Sequence, residues 1–257
     1  MDEYQAFVNR IYSKTGLDLS LYKEVQMKRR LTSLRNKRGF KDFGEYFEAI
    51  NNEQKLLQEF LDKVTINVSE FFRNPGRWRV LEEKIFPKFK ERKKTIKIWS
   101  AACSTGEEPY TLAILANQFW ALKDIEIVAT DIDRNVLARA KQGIYNDRAV
   151  QDVPPDLKDK YLWQEENTYK VDEKLKQCIT FKQHNLLADT YPKGFDLIVC
   201  RNVLIYFTEP AKEKIYQNFS NSLEPNGIFF VGSTEQIFHP ETYGYDVLDT
   251  FFYKKKC

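Results

Sequence analysis

The chain has 257 residues, of which 42% are apolar and 30% charged, a composition that is typical of globular proteins and excludes a disordered or collagen-like chain. No uncharged apolar run is long enough to span a bilayer and no signal peptide is evident, so we expect a soluble cytoplasmic protein without membrane insertion. The formal net charge of +3, the four separated cysteines and the two histidines argue against wholesale phosphate binding, a disulfide framework and a metal site.

The first part of the chain, residues 1–68, is predicted to form an all-α helical domain. Apolar residues recur there at spacings of three and four, the period of one helix face. Gly16 and Gly39 interrupt the pattern and are predicted helix ends. The stretch from Lys23 to Lys41 holds eight basic residues and one acid, which indicates either a solvated helix face or a docking surface for an acidic partner.

Strands and helices alternate in the second predicted domain, residues 69–257. This order favours an α/β domain with a doubly wound, mostly parallel sheet, whose ligands bind beyond the carboxyl ends of the strands. A segment at about 146–180 breaks the rhythm, and we predict an inserted small antiparallel sheet that includes Ile179 to Phe181. The predicted strands of the main sheet are Ile96–Ala101, Ile125–Ala129, Phe195–Cys200, Ile228–Val231 and Tyr245–Tyr253.

The loop Ala102–Glu108 follows the first predicted strand. It has one glycine, Gly106, and two carboxylates at the start of a helix, which would repel a pyrophosphate. Asp131 follows the second strand, at a position where dinucleotide-type folds bind ribose hydroxyls, although it could instead cap the next helix. An acidic loop and a ribose-binding acid without a phosphate cradle favour S-adenosylmethionine as the cofactor.

Five strings of residues carry a family resemblance across nearly the whole chain. They are residues 65–73 (TINVSEFFR), 102–110 (ACSTGEEPY), 129–133 (ATDID), 184–187 (HNLL) and 201–207 (RNVLIYF). In this order they resemble the CheR-type chemotaxis receptor methyltransferases. The resemblance implies a Rossmann-like methyltransferase domain that transfers the methyl group of S-adenosylmethionine to glutamate carboxylates of chemoreceptor cytoplasmic helices, leaving S-adenosylhomocysteine.

The same resemblance implies roles for individual residues. Arg73 and Tyr206 are expected to be catalytic, holding the substrate carboxylate or the reacting groups. The expected cofactor-binding residues are Asn67, Ser69, Arg73, Glu107, Asp131, Asn185, Leu186, Asn202 and Val203.

The likeness also bears on the partner. Acidic receptor helices would dock on the basic stretch Lys23 to Lys41. Some relatives bind a carboxyl-terminal receptor peptide through the inserted sheet, but the turn Gln164–Asn167 is short and lacks glycine, so we do not expect such a tether here.

Two other functions remain open at this point. One is a nucleic-acid methyltransferase, although the segment Asp152–Asp156 lacks the aromatic residue that ends the tetrad of amino-group methylases. The other is a non-catalytic signalling module that binds the cofactor. We favour the protein-glutamate methyltransferase and expect no nucleic-acid partner.

Overall fold

The computed structural model describes residues 2–65 and 69–256. Contacts divide the chain into a helical unit, Met1–Asn67 with Leu204–Ile215, and a sheet unit, Val68–Val203 with Tyr216–Cys257. The boundary between residues 68 and 69 stays a prediction. Sequence order does not reveal that residues 204–215 belong with the helical unit.

Among the described residues, the helical unit contains four complete α-helices, and polar side chains cap the starts of two of them. Asp2 and Asp42 accept hydrogen bonds from backbone N–H groups at the starts of two helices, and Gly16 ends the first in the left-handed conformation. Phe7 and Phe60 meet in its core with ring centroids 5.9 Å apart. The helices are α1 (Glu3–Thr15), α2 (Glu24–Lys37), α3 (Phe43–Asn52) and α4 (Gln54–Thr65).

The segment Leu204–Ile215 is bound to the start of α2 and the turn before it. Tyr22 and Phe207 form an antiparallel bridge, and their rings lie edge to face with centroids 5.0 Å apart. The backbone N–H of Lys23 donates to the carbonyl of Tyr206 at 2.8 Å. These contacts explain why a segment that follows the third predicted strand belongs to the helical unit.

The sheet unit contains a seven-stranded sheet and a smaller three-stranded one. The strand order of the large sheet is β6-β2-β1-β7-β8-β10-β9, in which the first five strands are parallel. The strands are β1 (Ile96–Ala101), β2 (Ile125–Asp131), β3 (Ile144–Asn146), β4 (Leu162–Glu165), β5 (Thr168–Val171), β6 (Ile179–Gln183), β7 (Phe195–Cys200), β8 (Leu223–Val231), β9 (Tyr245–Asp249) and β10 (Phe252–Lys255). The remaining helices are α5 (Pro75–Val80), α6 (Phe86–Arg92), α7 (Glu107–Ala116), α8 (Arg134–Gln142), α9 (Pro155–Tyr161), α10 (Glu173–Lys176) and α11 (Glu209–Ser222), with a π-helical turn, Leu81–Ile85, between α5 and α6.

The inserted sheet is antiparallel, as predicted, with the order β3-β5-β4. One part of that prediction is wrong. Residues Ile179 to Phe181 belong to β6, which pairs in parallel with β2 in the large sheet. The length of the run did not distinguish an edge strand of the main sheet from a strand of the insert.

The carboxyl-terminal strand, predicted as Tyr245–Tyr253, is two antiparallel strands, β9 and β10. The chain turns at Phe251, which has a φ of 71°. A turn without glycine, asparagine or proline at this position gives no sequence signal, so the hairpin was missed.

The order in which the chain adds strands to the large sheet reverses between β1 and β7, although the two strands are parallel. From β1 the chain builds outward through β2 to β6, and then crosses to β7 on the other side. Ligands of such sheets bind where the order reverses, beyond the carboxyl ends of the strands. The loop after β1 and the residues after β2 and β7 therefore define the place to look for a site.

Candidate functional site

The loop between β1 and α7 is folded tightly against its neighbours. Ala102, Ser104 and Gly106 all have positive φ. A Cβ added to Gly106, whose φ is 97°, would lie 2.8 Å from the Cβ of Ala140 and 2.9 Å from the hydroxyl of Tyr145. The single glycine is therefore a steric requirement of this loop.

Glu107 opens α7 and is 4% exposed. Its two carboxylate oxygens accept the hydroxyl of Thr105 at 2.9 and 2.7 Å, and a further hydrogen bond joins it to the side chain of Ser69. Burial raises the pKa of Glu107, and these hydrogen bonds oppose the rise. A buried carboxylate at this point is suited to a cationic group.

Asp131 ends β2 and is 6% exposed. It accepts the backbone N–H of Ser104 at 2.8 Å and that of Asp133 at 3.0 Å, and burial raises its pKa to about 6. The alternative that Asp131 caps the next helix is wrong, because Asp133 is the residue that caps α8, accepting the N–H of Asn135. Asp131 instead joins the end of β2 to the loop after β1.

Asn185 and Leu186 follow β6 beside Asp131, whose carbonyl accepts the backbone N–H of His184 at 2.9 Å. The side-chain oxygen of Asn185 accepts the N–H of Leu187 at 2.9 Å, and Leu186 is 8% exposed. The pair offers a fixed turn and an apolar side chain, which suits an adenine ring.

Asn202 and Val203 follow β7. Asn202 has a φ of 61°, and its N–H donates to the buried carboxylate of Glu235 at 2.6 Å. Glu235 also accepts the N–H of Gly232, at 2.8 Å, so one carboxylate joins the ends of β7 and β8. The sequence analysis gave Glu235 no role.

Arg73 lies before α5, and Arg201 fixes its backbone. The carbonyl oxygen of Arg73 accepts a hydrogen bond from one terminal nitrogen of Arg201 at 2.9 Å and another from the indole N–H of Trp78 at 3.0 Å. The guanidinium of Arg201 lies 4.9 Å from the ring centroids of both Trp78 and Phe230. Arg201 is therefore well placed to determine the position of Arg73.

Glu108 is the counter-ion of Arg201, with an O···N distance of 3.7 Å. It also accepts the hydroxyl of Ser100 at 2.9 Å. Burial raises the pKa of Glu108 to about 7, although Arg201 and the hydrogen bond from Ser100 act in the opposite direction. Burial also lowers the pKa of Arg201. Both residues lie in the strings that carry the family resemblance, but neither was given a role there. The signal that could have singled out Arg201 is its charge directly after the mostly apolar strand β7.

Tyr206 lies in the helical unit, in the turn Leu204–Tyr206. Besides the hydrogen bond from Lys23, its ring is covered by the guanidinium of Arg30 on α2, 5.2 Å from the centroid. Arg30 also donates to the carbonyls of Lys63 and Val64 at 3.4 and 3.3 Å. The structure thus joins Tyr206 to the basic helix. Asn67, the remaining predicted site residue, lies outside the described residues.

The donor set of the sheet unit fits S-adenosylmethionine. Glu107 and Asp131 are buried carboxylates around one tight loop, able to accept hydrogen bonds from an amino group and from ribose hydroxyls, and their negative charge disfavours a phosphate there. Among residues 2–65 and 69–256 no group of three or more histidine, cysteine or acidic side chains could hold a metal ion. None of the helices in these ranges is long and apolar enough to cross a bilayer.

Comparison with known proteins assigns both parts of the chain. The family model of the CheR methyltransferase all-alpha domain matches residues 2–65, and that of the CheR methyltransferase SAM binding domain matches residues 67–250.

Relatives of similar length carry consistent names. A chemotaxis protein methyltransferase of Listeria innocua is 43% identical over 98% of this chain and 97% of its own. Proteins of the same name from Borreliella burgdorferi, 36% identical over 92% and 88% of the two chains, and from Escherichia coli, 32% identical over 90% and 83%, are also similar. The chain therefore belongs to the CheR family of S-adenosylmethionine-dependent chemotaxis methyltransferases.

Proposed function

We propose that this protein is a protein-glutamate O-methyltransferase of the cytoplasm, which methylates glutamate side chains on the cytoplasmic helices of chemoreceptors. The observation that carries the proposal is the pair of buried carboxylates, Glu107 and Asp131, held around a loop that Gly106 closes. Such a site selects a cofactor with a positive charge and free ribose hydroxyls, and the family assignment identifies that cofactor as S-adenosylmethionine.

The cofactor supplies an electrophilic methyl group on a sulfonium. In the proposed site Glu107 binds its amino group, Asp131 accepts hydrogen bonds from the ribose hydroxyls, and Ser69 holds Glu107 in place. Asn185, Leu186, Asn202 and Val203 enclose the adenosine, and Asn67 and Arg73 complete the binding set.

The acceptor needs no general base. A glutamate has an ordinary pKa of about 4.3 and reaches the enzyme as a carboxylate, ready to act as the nucleophile. The protein therefore has to align the carboxylate oxygen, the methyl carbon and the sulfur, and to exclude water. Orientation alone can lower the activation barrier by roughly 7–11 kcal/mol. We assign Arg73 to the substrate carboxylate, since Arg201 fixes its backbone, and Tyr206 to the reacting groups.

Helix α2 is the proposed receptor-docking surface. Three cations of the stretch Lys23 to Lys41 form ion pairs within the helical unit: Lys28 with Asp2, Arg35 with Glu3 and Arg38 with Glu59. Only part of the positive charge of this stretch can therefore attract a partner. An exposed stripe remains at a spacing of four residues, and its members are Val25, Arg29, Ser33 and Lys37. A stripe with two cations, one hydroxyl and an exposed valine at one end suits a glutamate-rich helix lying alongside α2.

The function is tested by incubating the protein with methyl-labelled cofactor and receptor cytoplasmic fragments. Carboxyl methyl esters release labelled methanol in mild alkali, whereas methylated nucleic-acid bases do not, and a non-catalytic module gives no product even in a single turnover. Alkali-stable label on the receptor fragments, or no label on them, would contradict the proposal.

The docking surface is tested by reversing two charges of the stripe, Arg29→Glu with Lys37→Glu. The matched control is Lys55→Glu with Lys63→Glu, two exposed cations at the same eight-residue spacing on α4. We expect the stripe variant to lower kcat/KM by about tenfold at low salt through KM, and the control to change it little. Equal effects of the two variants, or a rate that does not depend on ionic strength, would exclude docking on α2.

A further inference from the structure

A groove lies in the sheet unit, away from the candidate site. It runs between the helical stretch Val80–Arg92 and the strands β8, β9 and β10, and encloses about 280 Å³. Ile228, on its floor, pairs with Leu197 near the beginning of β7, whereas Asn202 follows the end of that strand. None of the residues that line the groove is among the predicted cofactor-binding residues.

The rim of the groove is basic. Lys84, Lys88 and Arg92 project from the helical stretch at a spacing of four residues, and Lys254 lines the groove from β10. The one acid of the lining, Asp249, forms an ion pair with Lys84 at 2.7 Å. Within the described residues the other three cations have no carboxylate partner, so the rim has a net positive charge.

The floor of the groove is apolar. Ile85, Phe89 and Ile228 are nearly buried there, and Leu248 on β9 remains 40% exposed. One exposed leucine beside a buried apolar floor, within a rim of net positive charge, suits a partner that carries acidic and apolar side chains. A free inorganic anion would leave this floor uncovered.

The spacing of the cations indicates the form of the partner. Residues 84 and 92 are eight positions apart on a helical stretch, which corresponds to about 12 Å. A single compact anion cannot reach all three cations, whereas four residues of an extended peptide cover about 13 Å. In an extended segment alternate side chains point to opposite sides, so acidic residues can face the cations while apolar residues face the floor.

We propose that this groove is a docking site for an extended acidic peptide segment in which glutamate or aspartate alternates with apolar residues. The segment belongs to a protein partner, and it binds without occupying the cofactor site. The proposal does not depend on the identity of the methyl acceptor.

The test measures the fluorescence anisotropy of a labelled Glu-Leu-Glu-Leu-Glu peptide titrated with the full chain at low ionic strength. We expect saturable binding, and about tenfold weaker binding by the Lys88→Glu, Arg92→Glu double variant. The control is Lys141→Glu with Lys174→Glu, two exposed cations of the sheet unit outside the groove, which should bind as the unsubstituted chain does. Each variant is checked for folding by its thermal unfolding curve.

The apolar part of the proposal is tested separately. Leu248→Ser replaces an exposed side chain and should weaken binding of the leucine peptide severalfold, while a Glu-Ser-Glu-Ser-Glu peptide should bind more weakly to every variant. Equal binding of the serine peptide, or equal weakening by the control variant, would overturn the proposal. Binding of phosphatidylglycerol vesicles without binding of the peptide would overturn it in favour of a lipid surface.

Discussion

Replacing Glu108 by glutamine changes how the stability of the sheet unit depends on pH. The pKa of Glu108 is raised from 4.5 to about 7 in the folded protein. The folded state therefore retains a proton that the unfolded chain releases, and the stability from this proton is complete below pH 4.5 and lost as the pH rises through 7. A shift of this size corresponds to about 3 kcal/mol.

The Glu108→Gln variant cannot titrate at this position but retains an acceptor for the hydroxyl of Ser100. Below pH 7 the protonated Glu108 of the unsubstituted protein is neutral, as glutamine is, and the ionised form that pairs with Arg201 is populated only as the pH rises. The attraction of Arg201 is already included in the pKa of about 7. We therefore expect the free energy of unfolding of the unsubstituted protein, relative to the variant, to fall by about 3 kcal/mol between pH 4 and pH 8.

Urea unfolding followed by tryptophan fluorescence measures this difference in unfolding free energy for the sheet unit. All four tryptophans, Trp78, Trp99, Trp120 and Trp163, belong to the sheet unit. Glu91→Gln, at an exposed position of α6, controls for the loss of one carboxylate and should change stability by less than about 0.5 kcal/mol. A Glu108→Gln difference that stays constant from pH 4 to pH 8 would refute the reasoning.

Three further predictions concern the candidate site. Since the pKa of Asp131 is about 6 and its ionised form is the proposed acceptor of hydrogen bonds from the ribose hydroxyls, affinity for S-adenosylhomocysteine should rise about tenfold from pH 5 to pH 7 by calorimetry, and Asp131→Asn should remove that dependence. Gly106→Ala should destabilise the fold by about 2–4 kcal/mol in urea unfolding, because its Cβ meets Ala140 at 2.8 Å, whereas Gly76→Ala, with no atom within 4 Å, should not. Arg73→Ala should fold, bind S-adenosylhomocysteine more weakly because it loses a proposed cofactor contact, and lower kcat at saturating cofactor about a hundredfold, and an unchanged kcat would remove Arg73 from the reaction.

The order of elements could be predicted from the sequence because apolar runs and helical periods are local properties. Strand β7, which is apolar except for Asp196 and buried along its whole length, is an example. The assignment of β6 to the large sheet could not be predicted, since it depends on which strand its backbone pairs with. The turn at Phe251 was missed because phenylalanine rarely adopts a positive φ, so the residue type does not signal the turn.

The candidate site, like the fold, could be predicted from the sequence only in part. The loop carboxylate Glu107 and the strand-end acid Asp131 were singled out because their positions relative to predicted strands have a known meaning, and their roles toward the cofactor stay predictions. Glu108 and Arg201 were missed because each is explained by the other, and their contact forms only when β1 and β7 lie side by side in the sheet. Pairing between distant residues is the part of the site that periodicity and spacing do not report.

The attachment of residues 204–215 to the helical unit has a consequence for protein engineering. A chimera that exchanges only residues 1–67 between two family members would separate Lys23 from the carbonyl of Tyr206 and Tyr22 from Phe207. The exchangeable module is discontinuous, and a graft meant to transfer receptor choice should bring both chain segments from the same parent. Recombination points at residues 203 and 216, together with one near 68, would preserve these contacts.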